Sequence, residues 1–335
     1  MKAKILVYAL PALILTTIHL AEAQQPKGVP RIGVLSRGLH PSDSRAPSPH
    51  NFEAFRQGLR ELGYIEGKNI IIESRYAEGR FERFPALAEE LVRLKVEIIL
   101  VDSFTTASAV KKVTTTIPIV VAGGAGPIRS GLVASLARPG GNVTGLTNIS
   151  TKLLGKRLEL LKEVVPKATR FAFLSDSDSE GSKAMFEETQ IAAQALGVKF
   201  RLIEVKAQNP DLDGAFRLMA KERISAIIVS PSPRLNVSLH QKRILELLEQ
   251  ARMPAMHPNV SWMDDGGLMY YGANTRDLYR RAATYVDKIL KGAMPADLPV
   301  EQPKKFEFII NLKTAKQIGV TIPPNVLGRA DKVIR

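Results

Sequence analysis

Much of this chain repeats itself. Arg31–Ser36 (RIGVLS) returns as Arg170–Ser175 (RFAFLS), and Ile98–Ser103 (IILVDS) returns as Ala226–Ser230 (AIIVS). The helical stretch ending at Gly63, followed by Asn69–Ser74 (NIIIES), returns at Gly197 followed by Lys199–Val205 (KFRLIEV). Ile117–Ala122 (IPIVVA) has Met253–His257 (MPAMH) as its counterpart. Short apolar runs alternate with longer helical patterns, which argues for βαβ units, because parallel strands need a long crossover. The fold class is therefore α/β: two doubly wound parallel-sheet lobes joined by a multi-strand hinge, with a ligand cleft between them.

At 335 residues the chain is long enough for two such cores, and 45% hydrophobic with 24% charged residues is ordinary for a globular protein. Residues 1–23 stand apart. A basic start at Lys2 and Lys4, an apolar run Ile5–Leu20 and the small-x-small triplet Ala21-Glu22-Ala23 predict a secretory signal cleaved near Ala23. Cys is absent, which excludes disulfides, thiolate metal sites and a cysteine nucleophile. The net charge of +14 is spread along amphipathic helices such as Lys152–Lys162 and Arg276–Lys291, so it reads as solvated surface and not as a nucleic-acid footprint.

The connector Asn142–Ser150 predicts the first passage between lobes, and Asp264–Gly272 predicts a return. The first lobe is expected over residues 30–145 with about 270–295, and the second over 146–269 with about 296–335. Several passages imply a hinge that permits opening and closing.

In an open parallel sheet, ligands bind beyond the carboxyl ends of the strands. The repeat picks out those loops in both copies. In the first lobe they carry Ser36, Arg37, Ser103, Thr105, Thr106, Gly123, Gly124 and, at the connector, Asn148. In the second they carry Ser175, Asp176, Ser230, Ser232, His257 and Asn259. Hydroxyls and free amides at helix starts suit an anion such as a carboxylate. Asp176 is the expected partner for an ammonium group, and Tyr271, beside Trp262 and Tyr270, is expected to stack on a planar ligand.

Catalytic patterns are missing: no G-x-S-x-G, H-E-x-x-H, Walker A or G-x-G-x-x-G occurs. Asp176–Glu187 has EF-hand spacing at four positions, but a strand precedes it and Lys183 sits where an apolar residue belongs. No catalytic residue, cofactor or metal is expected. A hydrolase using His257 with Asp264 or Asp265 is the weaker reading, as is a sensory module that docks a receptor.

Four segments resemble a known family: Phe55–Gly79 (FRQGLRELGYIEGKNIIIESRYAEG), Thr114–Thr147, Gly266–Gly272 (GGLMYYG) and Lys305–Pro324. Together they resemble the TrpX-like substrate-binding proteins of ABC transporters, over essentially the whole chain after the signal. The resemblance implies a type I periplasmic-binding-protein fold, with no enzymatic activity. It also implies a periplasmic monomer that captures a small polar or zwitterionic solute, an amino acid in characterised relatives, and delivers it to an inner-membrane permease.

Overall fold

The computed structural model describes residues 28–38, 50–178, 180–206, 208–232 and 234–335. The signal-like segment, most of the Pro/Ser-rich loop after Arg37 and Ser179 lie outside the described residues. In the first lobe the order is β1 (Arg31–Ser36), α1 (His50–Glu61), β2 (Ile71–Tyr76), α2 (Phe84–Arg93), β3 (Ile98–Val101), α3 (Phe104–Lys111), β4 (Ile119–Gly124) and β5 (Val143–Thr147). The five strands form one parallel sheet in the order β2-β1-β3-β4-β5.

The second lobe continues with α4 (Leu154–Val164), β6 (Arg170–Asp176), α5 (Glu180–Ala195), β7 (Lys199–Val205), α6 (Leu212–Lys221), β8 (Ala226–Val229), α7 (Ser238–Gln250), β9 (Ala255–His257), α8 (Ser261–Asp264) and β10 (Met269–Ala273). After α9 (Thr275–Leu290) come β11 (Phe306–Asn311) and β12 (Lys332–Ile334). The second sheet runs β12-β11-β10-β9-β8-β6-β7, parallel throughout except between β10 and β11. The sequence repeat is thus a topological one: β2-β1-β3-β4 and β7-β6-β8-β9 are the same arrangement. β3 (IILV) and β8 (AIIV) are buried at every position, as expected of strands covered on both faces by crossover helices.

The chain passes between lobes after β5, after β10 and before β11. β10 is hydrogen-bonded to β9 and β11, so the return to the first lobe begins after Ala273, somewhat later than the sequence pattern places it. The following segment stays with the first sheet as far as Glu301, whose N–H donates to Gly145 O at 3.0 Å and whose carbonyl accepts from Thr147 N at 2.9 Å. At the first passage Ile149 has φ 46°, a left-handed conformation that a β-branched residue adopts at a cost on the order of 1–3 kcal/mol.

Helix α9 completes the first lobe by lying on α1. A side chain at Gly58 would put its Cβ 2.4 Å from the Arg280 carbonyl oxygen and 2.9 Å from Ala283 Cβ. Gly58→Ala is therefore expected to wedge α9 off α1 and to destabilise the protein by about 1–3 kcal/mol. Urea unfolding followed by circular dichroism checks this; an unchanged midpoint would mean that the helices do not pack this closely.

Candidate functional site

The carboxyl ends of both sheets open into one cleft of about 1560 Å³. Preformed small-molecule sites usually span roughly 300–1,000 Å³, so a small solute reaches both walls only when the lobes approach. In the first wall the structure brings together Ser36, Arg37, Ser103, Thr105, Gly123, Gly124 and, at the passage, Asn148.

The centre of this wall is the start of α3. Ser103 caps the helix by accepting from Thr106 N at 3.1 Å, and its carbonyl accepts from Ala107 N at 2.9 Å. The amides of Phe104 and Thr105 have no acceptor among the described residues. Gly124 lies directly against this turn: a Cβ there would fall 2.6 Å from Phe104 N and 2.5 Å from its ring. Thr105 is exposed to the cleft. Thr106 is buried instead, its hydroxyl donating to Asp102 Oδ1 at 2.8 Å. It orders the helix start without reaching the cleft.

Asp102 is held from several sides. Besides Thr106, its Oδ2 accepts from Arg37 N at 3.1 Å, with Arg37 Nε at 3.8 Å. Tyr279 also lines the cleft here; burial, and then the Asp102 charge, push its hydroxyl far above the usual phenol range, so it stays a neutral donor.

In the second wall, Ser232 and Asn259 reach the cleft, together with Asn236. The Asn236 amide donates to Ser230 O at 2.9 Å and to Ser232 O at 2.6 Å. Its Oδ1 accepts from Trp262 Nε1 at 2.8 Å and from Asn259 Nδ2 at 3.1 Å. This network clamps the loops after β8 and β9 together.

Other residues singled out in the sequence lie behind that wall. Asp176 is buried, with Oδ1 accepting from Asp178 N at 3.0 Å and Oδ2 from Ser232 Oγ at 2.9 Å, so it shapes the wall and does not line it. Ser230 is also buried, sharing a hydrogen bond with Ser182 and accepting from Ser232 N. Ser175 faces the interior, as does His257, whose ring stacks on Trp262 with centroids 4.9 Å apart. Desolvation draws the His257 imidazole down to about 3, so it is neutral and unsuited to act as a general base for solutes in the cleft. Tyr271 packs its ring on Phe306 and Phe308, at 6.2 and 6.3 Å, behind the hinge. In each case what packs against the strand end buries the side chain, which position along the sequence does not show.

Sequence reasoning missed the aromatic lining: Phe52, Tyr76, Phe81, Phe104 and Tyr279 all face the cleft from the first lobe. Phe104 was within reach of that reasoning, since it sits inside the Ser103–Thr106 loop. Tyr279 was not, because it comes from α9, which joins this lobe only through the return passage.

Two parallel-sheet lobes, a hinge crossed three times and a wide intervening cleft define a type I periplasmic-binding fold. The family model for ABC transporter substrate binding proteins matches residues 46–334, and the chain belongs to that family. A tyrosine-binding protein of Clostridioides difficile is 26% identical over 290 residues, covering 86% of this chain and 81% of that protein. An ABC domain from Streptococcus pneumoniae, solved in complex with L-Trp, aligns with a TM-score of 0.79 at 26% identity, covering 91% of this chain and 99% of that one. A conserved domain protein from Vibrio cholerae aligns similarly, with a TM-score of 0.78, 26% identity and the same coverage. The protein is thus a solute-binding protein of an ABC importer, from a family whose members bind substrates and do not convert them.

Proposed function

We propose that this protein closes its two lobes on one small carboxylate-bearing solute with a flat apolar body. The observation that carries this is the open turn at the start of α3. The amides of Phe104 and Thr105 lack an acceptor among the described residues, Thr105 is exposed to the cleft where Gly124 packs against the turn, and the aromatic wall stands beside them. A carboxylate would take those donors and gain from the helix dipole, while Phe52, Phe81 or Tyr279 would cover the ring. The relatives named for tyrosine and for tryptophan support the same size and shape of ligand.

On this reading Ser36, Asn148, Ser232 and Asn259 complete the enclosure on closure, and unpaired polar groups penalise the wrong solute. Residues 1–23 direct the chain to the periplasm, where it acts as a monomer, performs no catalysis and passes its solute to an inner-membrane permease. Among the described residues no helix is long and apolar enough to cross a membrane.

The test is calorimetric titration with aromatic amino acids and aromatic carboxylates, alongside small-angle scattering. Binding is expected to shrink the radius of gyration. Thr105→Ala is expected to weaken binding of the best solute about 5–10-fold, the loss of one charge-assisted hydrogen bond. Unaltered affinity in Thr105→Ala would place the carboxylate elsewhere.

A further inference from the structure

Resting on the reading above, we infer that the cleft is built for aromatic carboxylates that lack an α-ammonium group, and that it disfavours the corresponding amino acids. An α-amino acid carries its ammonium within about a bond or two of its carboxylate, so the acid that holds one must sit close to the donors that hold the other. Beside the start of α3 the lining acid, Asp102, already carries a counter-charge. Each of its oxygens accepts one hydrogen bond, Oδ1 from Thr106 Oγ1 and Oδ2 from Arg37 N, and the Arg37 guanidinium stands 3.8 Å away. Asp176, across the cleft, accepts from Ser232 Oγ and the Asp178 amide and does not line the cavity. Glu78 faces the cleft, but Arg80 and Arg83 both bind it, at 2.7 and 2.6 Å.

One lining acid, Glu82, has no ion-pair partner among the described residues. It follows β2, at the sheet edge, whereas α3 follows β3 and Gly124 ends β4. Strand spacings of about 4.8 Å put the ends of β3 and β4 roughly 10–14 Å from that of β2. The strands from which Glu82 and the α3 donors project are thus spaced more widely than the ammonium and carboxylate of one amino acid.

Positive charge, by contrast, is near the β4 end. Arg129, in the loop that follows Gly124, lines the cleft, is exposed, and has no ion-pair partner among the described residues. A second cation stands behind the opposite wall. Arg157 is 1% exposed and faces no carboxylate; its Nε donates to Tyr271 O at 2.8 Å, its Nη2 reaches Pro258 O at 3.4 Å, and its Nη1 has no partner. Pro258 itself lines the cleft. An unneutralised guanidinium one residue behind the wall, in a medium that screens poorly, favours an anion in the cleft and opposes an ammonium there.

Matched pairs that differ only in the ammonium group test this directly: hydrocinnamate against L-phenylalanine, phloretate against L-tyrosine, and indolepropionate against L-tryptophan, each titrated calorimetrically into the purified mature chain. At least one deaminated acid is expected to bind tenfold or more tightly than its amino-acid counterpart. Arg129→Gln is expected to weaken that acid about tenfold and to flatten the dependence of its affinity on salt. An amino acid that binds as tightly as its deaminated partner, or more so, would overturn the inference while leaving the carboxylate seat intact. An affinity for the acid that Arg129→Gln leaves unchanged also counts against it. If no member of any pair binds, the flat-bodied carboxylate reading itself fails, and this inference with it.

Discussion

Gly145→Ala is expected to be among the most damaging single substitutions in the first lobe. Gly145 lies in β5 with φ +130°, and a Cβ there would fall 2.2 Å from Val121 O and 2.5 Å from Val121 N. The partner is sheet backbone, which cannot swing aside as a side chain can. The left-handed backbone costs about 1–3 kcal/mol for a non-glycine residue, and prising β5 from β4 adds a comparable amount. A loss of about 3–5 kcal/mol would lower the melting temperature by about 10 °C. The same strand receives Glu301 through Gly145 O and Thr147 N, so the damage reaches the hinge as well as the core. Gly131→Ala is the matched control, because φ is +67° there but nothing lies within 4 Å of the new Cβ. Differential scanning calorimetry of the two variants separates backbone strain from steric collision. Equal, small shifts in both would mean that β4 and β5 are not packed as described.

A second large effect should appear with acid. His257 is 1% exposed, stacked on Trp262, with Nδ1 unpartnered, and desolvation lowers its pKa from 6.5 to about 3. Below pH 6.5 the unfolded chain binds a proton at this residue that the folded chain refuses. Stability from the neutral, buried ring is therefore complete above about pH 6.5 and is lost as the pH falls toward 3. Between pH 7 and pH 5 this single group should remove about 2 kcal/mol from the unfolding free energy. Replacing it by Phe keeps a flat ring against Trp262 and removes the titration. Urea midpoints measured across that interval should fall more steeply for the wild type than for His257→Phe. Parallel slopes would show that the imidazole is not held neutral in the fold. The consequence is one of stability and not of catalysis: His257 fastens the second wall from inside.

These two residues illustrate what could be read in advance and what could not. Gly145 sits in Asn142–Ser150, which reads as an extended connector, and its collision with Val121 depends on the register between β4 and β5. His257 was placed in a loop beyond a strand but is the last residue of β9, and which face it occupies is settled by the alternation along β9 and by Trp262 arriving from α8. The same limit applies to Asp176. Its position at the carboxyl end of a strand was legible, but its engagement with Ser232, 56 residues away, was not.

The architecture was legible from the doubled pattern alone. Two copies of the same alternation of buried strand and crossover helix can bury their apolar faces only as two parallel-sheet lobes, and the carboxyl ends of those sheets name the loops of the cleft. Tertiary structure decided which side chains on those loops meet solvent and which are consumed in holding the wall. It brought Tyr279 to the cleft on the returning helix α9, left the amides at the start of α3 without an acceptor among the described residues, and buried Arg157 behind Pro258 without a counter-charge. Periodicity is a local property that a chain displays along its length. The pairing of charges and the close approach of backbones are properties of distance in space, and they exist only once the lobes are assembled.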